Sequence, residues 1–156
     1  MKLSKFTTDK QREDEGVEVN LGREGDGAEL ILKVGRWGNS RARVMLERLT
    51  SAPAYQRAMR MNTLTEAESV NVIASVLAEC CLFGWQGLED DNGKPIPYSK
   101  EKAKELLATV PDFRRLVYEC CNDLTLFRAS NIEAAQDALK KSSRGTSSSQ
   151  PSNANS

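Results

Sequence analysis

The stretch GWQGLEDDNGKPIPYS, residues 84–99, determines how the two halves of this chain are joined. Apolar residues flank a polar centre that contains three consecutive acids, an Asn-Gly pair and two prolines. Asn-Gly pairs accept the backbone angles of a tight reversal, so we predict a turn over Asp91–Lys94. Each proline fixes its own φ and restricts the residue before it. The stretch is therefore predicted to be a rigid connector that sets the angle between two helices.

The acids of this connector also suggest a calcium loop, and the spacing excludes an EF-hand. Such a loop needs a glycine at its sixth position and an oxygen ligand at its first. If Gly93 is the sixth residue, Leu88 is the first, and if Asp90 is the first, Pro95 is the sixth. We instead expect the apolar side chains of the connector to hold its two ends against the core. The residues assigned to this turn motif are Gly84, Trp85, Leu88, Asp90, Asn92, Gly93, Pro95, Pro97, Tyr98 and Ser99, and Ile96 assists the clamp.

On the N-terminal side, the pattern changes from polar to alternating. Residues 1–15 are polar and mixed in charge, and we predict a flexible segment there. Val17, Val19 and Leu21 alternate with polar residues, which is typical of a half-buried strand. A glycine-rich turn and a second apolar run follow, so residues 16–36 are predicted to form a β-hairpin.

Helical spacing and capping residues account for most of the remaining chain. A helix over about 39–60 has Val44, Leu46 and Leu49 as apolar positions, and we expect Pro53 to break it. The next helix, over 65–83, begins at a Thr-x-x-Glu capping box at Thr65. Further helices are predicted over 99–109, 112–129 and 131–141, and residues 142–156 form a disordered Ser-rich tail.

These elements predict an α+β fold that is mostly α. An N-terminal β-hairpin would pack on a small bundle of four to five helices, because an isolated hairpin is only marginally stable. One domain over 16–141 fits the length of 156 residues.

The composition argues against an enzyme or a cofactor protein. The chain has no histidine, which removes Ser-His and Cys-His nucleophile pairs and every histidine-containing metal site. Its four cysteines form two vicinal pairs, Cys80-Cys81 and Cys120-Cys121, whose spacing does not match a zinc site. We expect these thiols to be small buried hydrophobes, and we expect no cofactor, no metal and no catalytic residue.

The charges are balanced overall but unevenly distributed. There are 22 basic and 22 acidic residues. Most charged residues of the stretch 28–60 are basic, whereas the stretch 61–92 contains acids and no Lys or Arg. Segments of opposite sign can pair within one molecule or between copies. The residues assigned to self-association are Arg36, Arg41, Arg43, Arg48, Glu66, Glu68, Asp90 and Asp91.

No run approaches the apolar length that a membrane span needs, and the first residues lack a secretory apolar region. A cytosolic protein with no membrane partner is therefore expected.

Residues 84–121, GWQGLEDDNGKPIPYSKEKAKELLATVPDFRRLVYECC, resemble the C-terminal half of tail assembly chaperones of long-tailed, siphovirus-type bacteriophages. The shared pattern is Gly-Trp, an Asp-x-x-Gly-Lys turn, a Pro-Tyr-Ser helix start, paired leucines and a Pro break. It covers roughly a quarter of the chain. Its residues here are Gly84, Trp85, Leu88, Asp90, Gly93, Lys94, Ile96, Pro97, Tyr98, Ser99, Leu106, Leu107, Pro111 and Phe113. Residues 34–49 resemble the family's strand-into-helix segment more weakly.

The resemblance implies a non-enzymatic protein encoded just upstream of the tape measure protein. Members bind that long helical client, keep it soluble and self-associate along it. They also help to recruit tail tube subunits, directly or through a longer frameshifted form, for which Lys140-Lys141 marks a candidate site here. The protein would act in the host cell cytoplasm and be absent from the mature virion, with no nucleic-acid partner expected.

A helical client needs a groove with apolar contacts. The residues assigned to that groove are Val70, Ile73, Leu77, Phe113, Leu116, Val117, Leu124 and Phe127, although the same two apolar faces could simply pack on each other.

Two other interpretations remain open on the sequence. A structural tail completion or connector protein would be found in purified particles. A small DNA-binding regulator would use the basic residues between Arg36 and Arg60, and its affinity would fall steeply with salt.

Overall fold

The structure, a computed structural model, describes residues 1–129. Three strands lie within them: β1 (Val17–Asn20), β2 (Ile31–Val34) and β3 (Leu82–Gln86). The helices are α1 (Lys10–Glu15), α2 (Ser40–Thr50), α3 (Pro53–Arg60), α4 (Glu66–Val76), α5 (Lys100–Thr109), α6 (Pro111–Asn122) and α7 (Leu124–Phe127). A 3-10 turn covers Leu3–Phe6, and a π-helical turn covers Leu77–Cys81. The predicted helix over 131–141 and the predicted tail lie outside the described residues.

The strands form an antiparallel sheet with β2 in the centre. On one side Val17 pairs with Val34, and on the other Leu32 pairs with Trp85. All four of these side chains are buried, so the alternating pattern of the hairpin supplies one apolar face to the core. The predicted α+β class, mostly helical and with an N-terminal hairpin, is confirmed.

The third strand is a correction to the predicted helix over 65–83. Helix α4 ends at Val76, and the π turn then leads directly into β3, so Gly84 lies in a strand and not at a helix end. The backbone N–H of Gly35 donates to the carbonyl of Cys81 at 2.7 Å, which ties the π turn to the end of β2. The free edge of β2 then pairs with the chain that leaves the turn. The apolar run LAECCLFGW continues a helical pattern, and only this long-range pairing makes its second half a strand.

The core lies between the sheet and the helices α4, α5 and α6. Its fully buried side chains come from every one of these elements and from α7: Leu32, Val34, Val76, Leu77, Leu82, Leu107, Val117, Cys121 and Phe127. Burial of each such aliphatic side chain contributes about 1.5–3 kcal/mol before the cost of ordering.

Two predicted helices are divided in the structure. The helix over 39–60 breaks at Ser51–Ala52, and Pro53 begins α3, where its missing N–H costs nothing. The helix over 112–129 breaks at Asp123, whose carboxylate accepts the backbone N–H of Thr125 at 2.9 Å and so caps α7.

The first fifteen residues contain structure that the sequence does not predict. Helix α1 begins after Asp9, whose side chain accepts the backbone N–H groups of Gln11 and Arg12. Its buried Glu13 forms an ion pair with Arg36. The same guanidinium donates to the Thr8 hydroxyl at 3.0 Å. Arg36 is therefore engaged within the molecule, which removes it from the predicted self-association surface.

The side chain of Asn39 joins three parts of the fold. It is 1% exposed, and its oxygen accepts the backbone N–H of Ala42 at 2.9 Å, which caps α2. Its amide nitrogen donates to the carbonyls of Arg36 and Cys80, both at 2.8 Å. One buried amide thus holds the start of α2 against the π turn.

We predict that Asn39→Ala lowers the free energy of unfolding by about 2–4 kcal/mol, because it removes a cap and leaves the Cys80 carbonyl buried without its donor. Thr65→Ala is the matched control, since Thr65 caps α4 in an exposed position, and it should cost about 1 kcal/mol. Urea denaturation measures both values. Equal costs for the two variants would show that the buried donor has no special importance.

Candidate functional site

The connector that follows β3 is a short hairpin. The backbone N–H of Asp90 donates to the carbonyl of Lys94 at 2.9 Å, and that of Ile96 donates to the carbonyl of Leu88 at 2.8 Å. The backbone N–H of Gly93 donates to the carbonyl of Asp90 at 2.9 Å and closes the turn. The turn therefore covers residues 90–93, one residue earlier than the predicted turn over Asp91–Lys94. Within this turn Gly93 alone has a positive φ, at 75°.

The carboxylate of Asp90 stabilises this turn from inside. Its Oδ1 accepts the backbone N–H groups of Asn92 and Lys94, both at 2.9 Å. An aspartate that folds back on its own backbone is a turn residue. The Asp90 carboxylate therefore stabilises the connector turn.

Aromatic contacts hold the connector against the core. The indole N–H of Trp85 donates to the carbonyl of Ile96 at 2.7 Å, and the Tyr98 hydroxyl donates to the carbonyl of Leu82 at 3.0 Å. The rings of Trp85 and Tyr98 lie edge to face at 4.9 Å, and Phe113 adds a third ring at 6.1 Å from Trp85. The predicted clamp is present, but it joins a strand to α5 and not two helices.

The start of α5 is fixed by Ser99. Its hydroxyl accepts the backbone N–H of Lys102 at 3.0 Å, as expected for an N-cap. The connector therefore determines where the first turns of α5, with Lys100 and Lys104, are placed.

A groove of about 790 Å³ opens beside that helix end. Helix α4 and the π turn contact both α2 and α5, so those two helices form its sides. The lining residues are Ser40, Arg41, Val44, Met45, Arg48, Leu49, Asn71, Ser75, Glu79, Cys80, Lys100 and Lys104.

Between its basic residues, the α2 side of the groove is apolar, with Val44, Met45 and Leu49. Val44 is 68% exposed, although its spacing predicts a core position. The core side of α2 is formed by Ala42, Met45, Leu46 and Leu49, which leaves Val44 facing outward. Deeper in the groove, the sulfur atoms of Cys80 and Met45 are 3.7 Å apart. An exposed valine beside a thioether is a surface that a partner's aliphatic side chains can cover.

The rim of the groove is basic. Arg41 and Arg48 project from α2, and Lys100 and Lys104 from α5, while Glu79 is the one acid among the described lining residues. Glu79 forms an ion pair with Lys100 at 3.2 Å. Arg41 is oriented by the ring of Phe83, whose centroid is 5.6 Å from its guanidinium carbon.

The residues assigned to a client groove do not form one. Leu77, Val117 and Phe127 are fully buried core residues, because the apolar faces of the two predicted helices pack on the sheet and on each other. Val70, Ile73, Phe113, Leu116 and Leu124 are half-buried. Ile73 and Leu116 line two separate depressions.

The residues assigned to self-association are also dispersed. Arg41 and Arg48 line the groove, and Arg43 is exposed on α2 outside it. Glu66 and Glu68 lie in the first turn of α4, and Asp90 and Asp91 lie in the connector turn. The acids thus belong to two separate elements.

The groove itself was missed by sequence reasoning, although a signal was present. Arg41, Val44 and Arg48 recur at spacings of three and four, which places them on one face of a helix. That face was not recognised because Val44 was counted with the core. The contribution of α5 depends on tertiary packing.

All four cysteines are buried and free, as predicted. Within residues 1–129, no group of three or more His, Cys, Asp or Glu side chains could hold a metal ion. The pKa of the Cys121 thiol is raised above its ordinary value of 9.0, chiefly by a hydrogen bond with Cys81 and to a smaller extent by burial. Burial likewise raises the pKa of Cys80 and of Cys120. These thiols are protonated at neutral pH and are poor nucleophiles.

Every helix in the described part of the chain is too short or too polar to cross a bilayer.

A pair of glycine substitutions tests the connector. Gly87 and Gly93 have positive φ values of 78° and 75°. A Cβ at position 87 would also overlap the carbonyl of Glu29, whereas position 93 is open. Gly93→Ala should therefore cost roughly 1–2 kcal/mol of stability, and Gly87→Ala substantially more. Thermal and urea unfolding measure both, and equal costs would contradict the tight approach at Gly87.

The raised thiol pKa values predict a loss of stability in alkali. The folded chain keeps these protons to a higher pH than the unfolded chain, so the free energy of unfolding is constant below about pH 8 and falls above about pH 9. Each thiol contributes at most about 1.4 kcal/mol per pH unit. Urea denaturation at several pH values should give a smaller slope for Cys121→Ala, and an unchanged slope would contradict this origin.

A family model described as YdaY prophage protein matches residues 37–141. The match includes α2–α6, the connector and every residue that lines the groove, and it leaves α1, β1 and β2 outside. No curated protein and no solved structure matches the chain. Since the matched residues are well over half of the sequence, the chain belongs to the YdaY prophage protein family and is of bacteriophage origin.

Proposed function

We propose that this protein is a non-enzymatic tail assembly chaperone that binds the tape measure protein of its phage and keeps it soluble. It acts in the host cell cytoplasm and leaves before the virion is complete. Phage origin supports the proposal, and so does the resemblance of residues 84–121 to such chaperones.

The groove between α2 and α5 is the observation on which the proposal depends most. It combines an exposed valine and the partly buried Met45 and Leu49 with a volume of about 790 Å³. Hydrophobic grooves bind amphipathic helices through side chains on one helical face. A tape measure protein offers such helices repeatedly along its length, and each would be insoluble without cover.

Two further parts of the proposal concern assembly. Several copies associate along one client, and the chaperone recruits tail tube subunits directly or through a longer frameshifted form. Exposed Arg43 and the exposed acids Glu66, Glu68 and Asp91 are charged residues that remain for contacts between copies.

Co-expression with the tape measure protein tests the client. We expect this chain to raise the soluble fraction of that protein, and sizing of the complex to give several chaperone copies per client. Val44→Asp should weaken client binding about ten-fold, because an aliphatic contact of about 1.5 kcal/mol is replaced by a charge that must be desolvated.

Val110→Asp is the matched control, since Val110 is exposed and lies outside the groove. It should solubilise the client as well as the original chain does. An unchanged client solubility with the original chain would contradict the chaperone function. Equal binding by both variants would contradict the groove as its site.

Two observations separate this function from a structural tail component. A chaperone is absent from purified particles, and its gene lies directly upstream of a long helix-rich reading frame. Stoichiometric recovery of the chain from purified virions would instead identify a tail completion or connector protein.

A further inference from the structure

The charges around the groove define the kind of client helix that it accepts. We infer that the groove recognises an amphipathic helix whose apolar stripe is flanked on both sides by carboxylates. The inference rests on the proposed function, because it names the chemistry of the segment that the chaperone would bind. The client segment that binds in the groove is therefore expected to be acidic.

Cations lie on both sides of the groove. Arg41 and Arg48 are seven residues apart on α2, a separation of about 10 Å along the helix axis. Lys100 and Lys104 are one helical turn apart on α5. A helix lying between α2 and α5 therefore has a basic side chain to its left and to its right. Acids on both edges of its apolar stripe would meet them.

The basic side chains are only partly neutralised within the molecule. Glu79 pairs with Lys100, and it is the single acid among the described residues of the lining. Arg41 is held over Phe83, which leaves its charge in place and fixes its position. Three positive charges are thus left to attract a ligand.

The apolar side chains of α2 favour a helix over a nucleic acid. Val44, Met45 and Leu49 offer aliphatic surface, and no aromatic side chain among the described residues lines the groove on which a base could stack. The small side chains of Ser75 and Cys80 allow a partner helix to approach closely.

A second copy of this chain is the weaker candidate for the occupant. The acids assigned to self-association lie in two close pairs, Glu66 with Glu68 in the first turn of α4 and Asp90 with Asp91 in the connector turn. Neither pair forms two rows of carboxylates that flank an apolar helical stripe, which is the pattern that the two basic sides of the groove match.

Synthetic helical peptides test the inference. One peptide has Leu and Val along one face with Glu on both edges, and a matched peptide has Gln in place of every Glu. We expect the Glu peptide to bind the full chain about ten-fold more tightly in low salt, because several partly exposed ion pairs add together. The difference should shrink as salt rises. Calorimetric titration measures both affinities.

Charge reversal assigns the effect to the groove. The double variant R41E/R48E should lose the preference for the Glu peptide and prefer a Lys-edged peptide. The control R57E/R60E makes the same charge change at exposed residues of α3 outside the groove, and it should behave like the original chain. Circular dichroism confirms that both variants fold.

Several outcomes would overturn the inference. Equal binding of the Glu and Gln peptides would exclude carboxylate recognition, and displacement of the Glu peptide by duplex DNA would indicate a phosphate ligand. Self-association of the chain that R41E/R48E abolishes would make a second copy the occupant. If the tape measure protein is solubilised without any dependence on acids, the inference fails and the proposed function stands. If acidic peptides bind but that protein is not solubilised, the proposed function fails instead.

Discussion

The buried side chain of Asn39 holds the start of α2 against the π turn, and the positions of the other elements depend on that contact. Its three hydrogen bonds are all made inside the protein. Neighbouring backbone groups extend the link, since Gly35 bonds to Cys81 and Trp37 bonds to Cys121. A short segment after β2 is therefore tied to α2, to the π turn and to α6. Buried polar groups that are fully paired specify one arrangement of a core.

The groove is a consequence of this arrangement. Because the π turn is fixed against α2, the chain leaves it as β3 and pairs with the central strand. The connector then returns the chain to the start of α5, where Tyr98 and Trp85 set its position. Helix α5 lies across the π turn from α2, and a basic groove with aliphatic side chains on its α2 side lies between them.

Local signals in the sequence were sufficient for the hairpin and for several helix ends. Alternation predicted β1, an apolar run after a glycine-rich turn predicted β2, and Thr65 and Ser99 are the N-caps that their neighbours suggested. The signals failed where distant segments decide the structure. The pairing of β3 with β2 has no local signature, and the exposure of Val44 depends on which face of α2 the core covers. Of the residues assigned to a client groove, Leu77, Val117 and Phe127 lie in the core, since a small domain needs such side chains for its own stability.

Hydrogen–deuterium exchange of the chain with and without bound tape measure protein tests the central claim most directly. Binding in the groove should slow exchange over residues 41–49 of α2 and over residues 100–104 of α5. Exchange over α3, which lies outside the groove, should stay unchanged. Protection confined to α3 or to the loop between β1 and β2 would contradict the groove as the client site.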